Sequence, residues 1–372
     1  MFNKIKKNKK FWLCFSFFFL LIIFFIFIFS KTVFYKLDEN GQLIDKQLIK
    51  KNIIKKIPQL NKEDYDKRLN LLAHIISTSS IDNTSLTATI TIATSTSIKS
   101  LWPVKTAYPN VGAILPFKRI IAYYGNLLST KMGVLGEYPE DEMLAKLDAE
   151  VQKWTLVDPE TPAIPALHYI VVTAQRKPGE DGKYRLRMPD IEIDKVIKMA
   201  EKINALVFLD IQIGQSTIQE ELPLLEKYLK MPQVHLAIDP EFSMNNGKIP
   251  GEYVGTYDAE EINYVTDYLA KIVQENNLIP KIFIIHRYTQ NMVTNYKLIK
   301  TVPEVQIVMN MDGWGPKYGK LATQRDYIYK EPIQFTGFKL FYKNDIWKPS
   351  KAMMTVEEIL EVNPIPIYIQ YQ

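Results

Sequence analysis

The sequence has little cysteine and little histidine. Among its 372 residues there is one cysteine, Cys14, and there are four histidines. A single cysteine cannot form a disulfide within the chain, and it cannot supply a cysteine-based zinc site. The composition therefore excludes a disulfide framework and a zinc-finger type of metal site.

Acidic residues are missing from the first 30 positions, which contain five lysines. The other 342 residues carry 41 basic and 41 acidic groups, so the formal net charge of +5 comes from the N-terminal tip. A nucleic-acid-binding domain would need a basic patch in its folded part. We therefore expect no nucleic-acid partner.

Residues 11–29 form a long apolar run without a charge, in which only Ser16 is polar. About 20 apolar residues suffice to cross a bilayer, and the preceding lysines favour a cytoplasmic N-terminus. The run predicts an uncleaved signal anchor over residues 1–30, with the rest of the chain outside the cytoplasm. A cleaved signal peptide is the alternative, although no A-x-A-like cleavage site follows the run.

The next segment, residues 31–110, lacks a sustained pattern. Its part from 77 to 100 is dominated by serine and threonine, which is typical of an exposed spacer. The stretch TATITIAT within it could instead form one edge strand. We divide the chain into the anchor, this juxtamembrane segment and spacer, and a domain covering residues 111–372.

Short apolar runs alternate with helix-like stretches throughout residues 111–372, and residues 217–229 and 294–300 are two of these predicted helices. Asp258 stands three positions before Glu261, which is the spacing of a capping box, and Asp181-Gly182 predicts a hairpin within residues 174–189. The eight runs cover residues 119–126, 163–172, 205–214, 234–242, 281–289, 305–313, 335–342 and 365–372. Near-continuous apolar strands that alternate with helices indicate a parallel sheet covered on both faces. Eight units in 262 residues predict a (β/α)8 TIM barrel in the α/β class. An open doubly wound sheet is the alternative, but its usual G-x-G-x-x-G or P-loop motif is lacking.

Polar and ionisable residues follow most of these runs. In a (β/α)8 barrel the reactive groups lie at the C-terminal ends of the strands. Ionisable groups are costly to bury unless they are paired or functional, so we interpret this set as an active-site mouth. The candidate catalytic residues are Asp210, Asp239, Glu241 and Asp312, and the candidate substrate-binding residues are Tyr123, His168, Gln212, His286, Trp314, Lys339 and Gln370.

The most informative element is Asp239-Pro240-Glu241, at the end of the fourth run. Two carboxylates two residues apart on a strand share one face, with Cα atoms roughly 6.6 Å apart. Their repulsion should raise one pKa and leave the other group ionised, as a general acid beside a charge stabiliser requires. A strand-end turn with solvated acids is the alternative.

This D-x-E at the end of strand 4 resembles the active-site strand of secreted N-acetylmuramidase and chitinase barrels. The resemblance implies that Glu241 is the proton donor and that Asp239 positions an acetamido group or stabilises charge. The last run, IYIQYQ, is similar to the last strand of the muramidase barrels. The runs FLDIQIG and MNMDGWG also resemble segments of bacterial exported proteins of unassigned activity.

Three functions remain open from the sequence. The first is a membrane-anchored, glycosidase-like hydrolase that acts on peptidoglycan or another polysaccharide of the bacterial cell envelope, without metal or cofactor. The second is a metal-dependent hydrolase or isomerase on the same barrel, for which His168, Asp210, Glu241, His286 and Asp312 are acceptable oxygen and nitrogen ligands. The third is a non-catalytic envelope protein that binds a glycan. We favour the first.

Overall fold

The computed structural model describes residues 59–75, 100–244 and 247–372. The apolar run 11–29 and nearly all of the serine- and threonine-rich stretch lie outside these residues. Within the described ranges, no helix is long and apolar enough to cross a membrane. Residues Gln59–Gln372 form one compact unit.

Eight parallel strands form a closed barrel. They are β1 (Arg119–Gly125), β2 (Ala163–Ala174), β3 (Leu206–Ile211), β4 (Val234–Ile238), β5 (Lys281–Arg287), β6 (Val305–Met311), β7 (Phe335–Leu340) and β8 (Tyr368–Tyr371). Each strand pairs in parallel with its neighbours, and β1 pairs with both β2 and β8. All eight predicted strands are confirmed, and the closure excludes the open sheet.

Helices and short strands connect the barrel strands. The α-helices are Lys62–Leu72, Val134–Glu137, Glu140–Val157, Asp190–Lys202, Ile218–Glu221, Glu226–Leu229, Ala259–Asn276, Lys317–Thr323 and Val356–Leu360. The 3-10 helices are Leu222–Leu225, Pro240–Phe242, Gln290–Met292 and Tyr296–Leu298, and Gln324–Tyr329 is a π-helix. The short strands are Arg185–Arg187, Tyr257–Asp258 and Val293–Thr294.

The longest connecting helices have clear end signals. In Ala259–Asn276, Asp258 and Glu261 form the predicted capping box, and Asn277 ends the helix in a left-handed conformation. The predicted helix over 217–229 is instead divided by the 3-10 turn Leu222–Leu225, because Pro223 cannot donate the hydrogen bond that a continuous helix needs.

The prediction of a helix over residues 294–300 is wrong. Asn295 has a φ of 53° there, which breaks the helical path, and only Tyr296–Leu298 forms a 3-10 turn. The hairpin predicted around Asp181-Gly182 is present, because Arg185–Arg187 pairs antiparallel with the end of β2.

Apolar side chains form one layer outside the barrel wall and another inside it. The larger one lies between the strands and the outer helices and includes Leu147, Val196 and Leu269. The smaller one fills the barrel interior at the N-terminal ends of the strands, with Ile120 and Phe208 among its members. The upper interior is thus left for polar groups.

The helix Lys62–Leu72 packs against the same compact unit as the barrel. Its Tyr65 is buried in the inner apolar cluster. Arg68 donates a hydrogen bond to the backbone oxygen of Glu160 at 2.9 Å. The backbone N–H of Ile365 donates a hydrogen bond to the backbone oxygen of Leu72 at 2.7 Å. Part of the segment 31–110 is therefore built into the folded unit.

Candidate functional site

The inward-facing side chains change from apolar to polar along the barrel axis. Above the inner apolar cluster, alternate residues of the strands contribute two polar levels. The lower level contains His168, Asp210, His286, Asn310 and Gln370, and the upper level contains Tyr124, Gln212, Asp239, Asp312 and Lys339. Most of the side chains predicted to form the mouth therefore lie together in one cluster.

A cleft of about 530 Å³ opens above the upper level. Three carboxyl-bearing side chains line it, those of Asp239, Glu241 and Asp312. A second cavity, of about 480 Å³, lies beside the helix Lys62–Leu72. Its buried cation, Arg119, is already paired with Asp158 at 2.7 Å, so we place the candidate site in the first cleft.

Asp312 is the most heavily paired group of the cleft. Its Oδ1 lies 2.9 Å from Lys339 Nζ, and its Oδ2 lies 2.9 Å from His286 Nδ1. Burial opposes ionisation of Asp312, but the two neighbouring cations lower its pKa to about 2. The Lys339 ammonium also lies 3.9 Å from the ring centroid of Tyr124. Asp312 is therefore held as a carboxylate.

Asp239 and Glu241 are placed differently from the predicted strand geometry. Strand β4 ends at Ile238, and Pro240–Phe242 forms a 3-10 turn. The Asp239 side chain caps that turn by accepting a hydrogen bond from the backbone N–H of Glu241 at 3.2 Å. The two carboxyl groups therefore follow a turn and do not share one strand face.

The pKa values of Asp239 and Glu241 are both raised, which favours the neutral acid. Burial raises the pKa of Asp239 well above its usual value, with the charges of Glu241, Asp210 and Asp312 adding to the effect. Burial also raises the pKa of Glu241, and the charge of Asp312 raises it further. The cleft thus places two carboxyl groups with raised pKa values beside Asp312, whose pKa is lowered.

Below the cleft, Asp210 lies between two histidines. Its Oδ2 is 3.5 Å from His168 Nε2 and 3.6 Å from His286 Nε2, and all three side chains are fully buried. Burial lowers the pKa of His168 to about 4. Burial disfavours charge on His286 as well, but the carboxylates of Asp312 and Asp210 outweigh it and raise the pKa of His286.

The lower level is fixed by hydrogen bonds from β8. His168 Nδ1 lies 2.6 Å from the hydroxyl of Tyr368 and 3.0 Å from the amide nitrogen of Gln370. Tyr368 was not predicted as a site residue, although it lies two positions before Gln370 and therefore shares its face of the strand. The alternation of β8 was the signal that could have identified it.

Ten of the eleven predicted site residues lie in or around this cluster. The exception is Tyr123, whose hydroxyl lies 3.1 Å from that of Tyr342 in the outer apolar layer. Its neighbour Tyr124 faces the axis instead, because successive strand residues point to opposite faces. Trp314 lies at the rim of the cleft and is 59% exposed.

The loop that carries Trp314 is held by a buried ion pair. Lys320 Nζ lies 3.0 Å from Asp345 Oδ2 and donates a hydrogen bond to the backbone oxygen of Gly313 at 2.7 Å. Asp345 in turn accepts from the backbone N–H of Gly315 at 2.9 Å. These contacts fix both sides of Trp314 and so position it over the cleft.

Comparisons with known proteins give little further information. No protein-family model matches the chain, and no curated protein matches it. Among solved structures, a mannanase of Bacillus subtilis is similar over 60% of this chain and 74% of that chain. The sequence identity is 14% and the TM-score is 0.31.

Proposed function

We propose that the chain is a glycosidase-like hydrolase in which Glu241 is the general acid and Asp312 is its anionic partner. One observation carries the proposal: two carboxyl groups line the same cleft, and their surroundings shift their pKa values in opposite directions, upward for Glu241 and downward for Asp312. Burial favours the acid form of Glu241, whereas Lys339, 2.9 Å away, holds Asp312 as a carboxylate. Glycoside hydrolysis requires such a pair.

In the proposed reaction Glu241 donates its proton to the glycosidic oxygen as the bond to the sugar breaks. Asp312 stabilises the positive charge that develops on the sugar ring. A water molecule then adds to the sugar carbon, and the Glu241 carboxylate takes up the proton that this water loses, which restores the acid. Lys339 and His286 keep Asp312 in position through its two oxygens. Trp314, at the rim, offers a face on which a sugar ring can stack.

The other two candidate catalytic carboxyl groups receive different roles in this proposal. Burial raises the pKa of Asp239 and so disfavours the carboxylate that a charge stabiliser would need. In the proposal Asp239 instead positions the backbone of Glu241, whose N–H donates to its side chain. Asp210 lies beneath the cleft and is fully buried, so it acts on the site only through His286 and His168.

We further propose that the substrate is a polysaccharide of the bacterial cell envelope, such as peptidoglycan. The support is the predicted signal anchor over 11–29, which would place the barrel outside the cytoplasm with the N-terminus inside. The resemblance of Asp239-Pro240-Glu241 to the muramidase and chitinase strands agrees with this class of substrate.

The test uses the full-length chain, purified in a mild detergent, and measures new reducing ends by mass spectrometry. Peptidoglycan and chitin-type oligosaccharides are incubated with the wild type and with the Glu241→Gln variant. Because a general acid contributes roughly 10²–10⁴-fold to the rate, we expect Glu241→Gln to lose at least about 100-fold.

The matched control is Glu252→Gln, which removes an exposed carboxyl group from the same connection after β4. It should release sugars at the wild-type rate. Equal release by Glu241→Gln and the wild type would contradict the assignment of the acid. No release from either substrate by the folded wild type would contradict the proposed activity on these polysaccharides.

A further inference from the structure

Several buried polar atoms in the lower polar level have no hydrogen-bond partner in the described part of the protein. Among the described residues, no protein group makes a hydrogen bond to His168 Nε2, to His286 Nε2 or to either carboxylate oxygen of Asp210. All three side chains have no solvent exposure. Buried polar atoms nearly always make a hydrogen bond. Here Asp210 Oδ2 and the two Nε2 atoms only face one another, at 3.5 and 3.6 Å, and this convergence requires an explanation.

We propose that His168, Asp210 and His286 bind a divalent transition-metal ion of the zinc type beneath the cleft. This site goes beyond the proposed hydrolase, which does not need it. Two imidazole nitrogens and one carboxylate oxygen form a ligand set that suits zinc and its neighbours. The three ligand atoms lie within 4.8 Å of one another.

The two distances from Asp210 to the histidine nitrogens agree with a metal site. Around a tetrahedral ion with metal–ligand distances of about 2.1 Å, ligand atoms lie about 3.4 Å apart. Asp210 Oδ2 lies 3.5 Å from His168 Nε2 and 3.6 Å from His286 Nε2. Both separations are longer than a normal N–H···O hydrogen bond but close to the edge of such a tetrahedron.

Hydrogen bonds on the far side of each imidazole direct Nε2 toward the site. His286 Nδ1 lies 2.9 Å from Asp312 Oδ2. With a metal ion in place of the proton on Nε2, His286 would be neutral and would donate its remaining N–H, on Nδ1, to Asp312. Metal-bound histidines usually have such a carboxylate partner. His168 Nδ1 is similarly engaged, with the hydroxyl of Tyr368 2.6 Å away.

The same arrangement links the metal to the cleft. An ion on His286 Nε2 would replace a proton there and would fix the tautomer that donates to Asp312. Asp312 is then a positioning residue for the metal site as well as a member of the cleft. Removing it should weaken metal binding roughly 10–100-fold, as the loss of such outer partners usually does.

The test measures metal content and ligand type on the full-length chain, not activity. The protein is produced once in medium with zinc and once in zinc-depleted medium with cobalt. We expect about one equivalent of metal per chain by elemental analysis. The cobalt protein should absorb visible light, and X-ray absorption at the cobalt edge should show two imidazole ligands.

Variants locate the ion. His168→Gln, His286→Gln and Asp210→Asn should lose the metal, with circular dichroism confirming that each is folded. His235→Gln is the matched control, because His235 is also fully buried on a barrel strand but its Nδ1 accepts from the backbone N–H of Ile282. Glu241→Gln should retain the metal, which separates this site from the cleft above it.

Less than about a tenth of an equivalent in both preparations would overturn the proposal. Retention of the metal by all three folded ligand variants would overturn it too. If those variants do not fold, the number of imidazole ligands in the wild-type cobalt protein decides the question. Since sugar release is not measured, failure of the metal site and failure of the hydrolase assignment are distinguishable.

Discussion

Asp312 and Lys339 form an ion pair across two barrel strands, with 2.9 Å between Oδ1 and Nζ. Their side chains are only 7% and 4% exposed, so water screens the pair very little. Asp312 follows β6, and Lys339 lies on β7. The pair therefore joins neighbouring strands at the level where the cleft begins.

Breaking this pair should be more harmful than removing it. Loss of Asp312 leaves the buried Lys339 ammonium without its ion-pair partner, and loss of Lys339 leaves Asp312 with His286 alone. Removing one partner of a buried ion pair typically costs about 3–5 kcal/mol. We expect Lys339→Met and Asp312→Asn each to lower the free energy of unfolding by that amount. The double variant should lose less than the sum of the two, as measured by urea unfolding. Additive losses would show that the two side chains are not coupled.

Tyr288→Phe should move the pH dependence of activity. Burial and Asp312 raise the pKa of Glu241, whereas the hydrogen bond from Tyr288 and the charges of Lys339 and His286 lower it. Without the tyrosine hydroxyl, the pKa of Glu241 rises further. Because the general acid must be protonated, the alkaline limb of kcat/KM should move to higher pH.

The measurement for Tyr288→Phe is a pH–rate profile beside the wild type, with the same substrate. A second profile for Tyr318→Phe, which alters an exposed tyrosine outside the cleft lining, should coincide with that of the wild type. A shift of the alkaline limb to lower pH would contradict Glu241 as the acid.

Because of Lys281, the free energy of unfolding should be larger at alkaline pH than at neutral pH. It is buried at the start of β5, where its Nζ donates to the backbone oxygens of Met231 and Val234 at 2.7 and 2.8 Å. Burial lowers its pKa from 10.5 to about 7. Between about pH 7 and 10.5 the unfolded chain binds this proton more strongly, so stability rises with pH by up to ~1.4 kcal/mol per unit.

Lys281→Met removes the titrating group and should flatten that rise. The free energy of unfolding is measured by urea at pH 7, 8 and 9 for both proteins. The neighbouring His235 is neutral throughout this range, since burial and the charge of Lys281 keep its pKa well below the usual value. Parallel curves for the two proteins would show that the lysine is charged in the folded state across the range.

Trp314→Ala should weaken substrate binding and leave the chemical step nearly unchanged. The indole is 59% exposed at the cleft rim and packs edge-on against Trp347, with 6.2 Å between the ring centroids. Loss of an aromatic contact of about 1 kcal/mol should raise KM about fivefold. Tyr318→Ala is the control, and an equal rise in KM for both variants would contradict a specific role for Trp314.

The sequence predicted the strands and most inward-facing residues for a physical reason. Strands covered on both faces are nearly continuous apolar runs, and polar residues at their ends interrupt the pattern and reveal which face is inward. In β1 every residue is buried, so apolarity does not distinguish its two faces. The sequence therefore does not distinguish Tyr123, in the outer layer, from Tyr124, which faces the axis.

Contacts between distant segments could not be predicted. Whether Asp312 is ionised depends on Lys339 and His286, which come from other strands. The turn at Pro240–Phe242 depends on a cap by Asp239, where the alternation rule of a strand no longer applies. The convergence of His168, Asp210 and His286 likewise exists only once β2, β3 and β5 are assembled.

The packing of the helix Lys62–Leu72 has a consequence for cleavage of the chain. The residues between Ile75 and Ser100 join this helix to the barrel covalently, but Tyr65, Arg68 and Leu72 also hold it there by contacts. A protease that cuts within this connection would therefore produce two fragments that stay together under native conditions. Release of the barrel from the segment before residue 59 would require a cut before the helix, or dissociation of the helix from the inner apolar cluster.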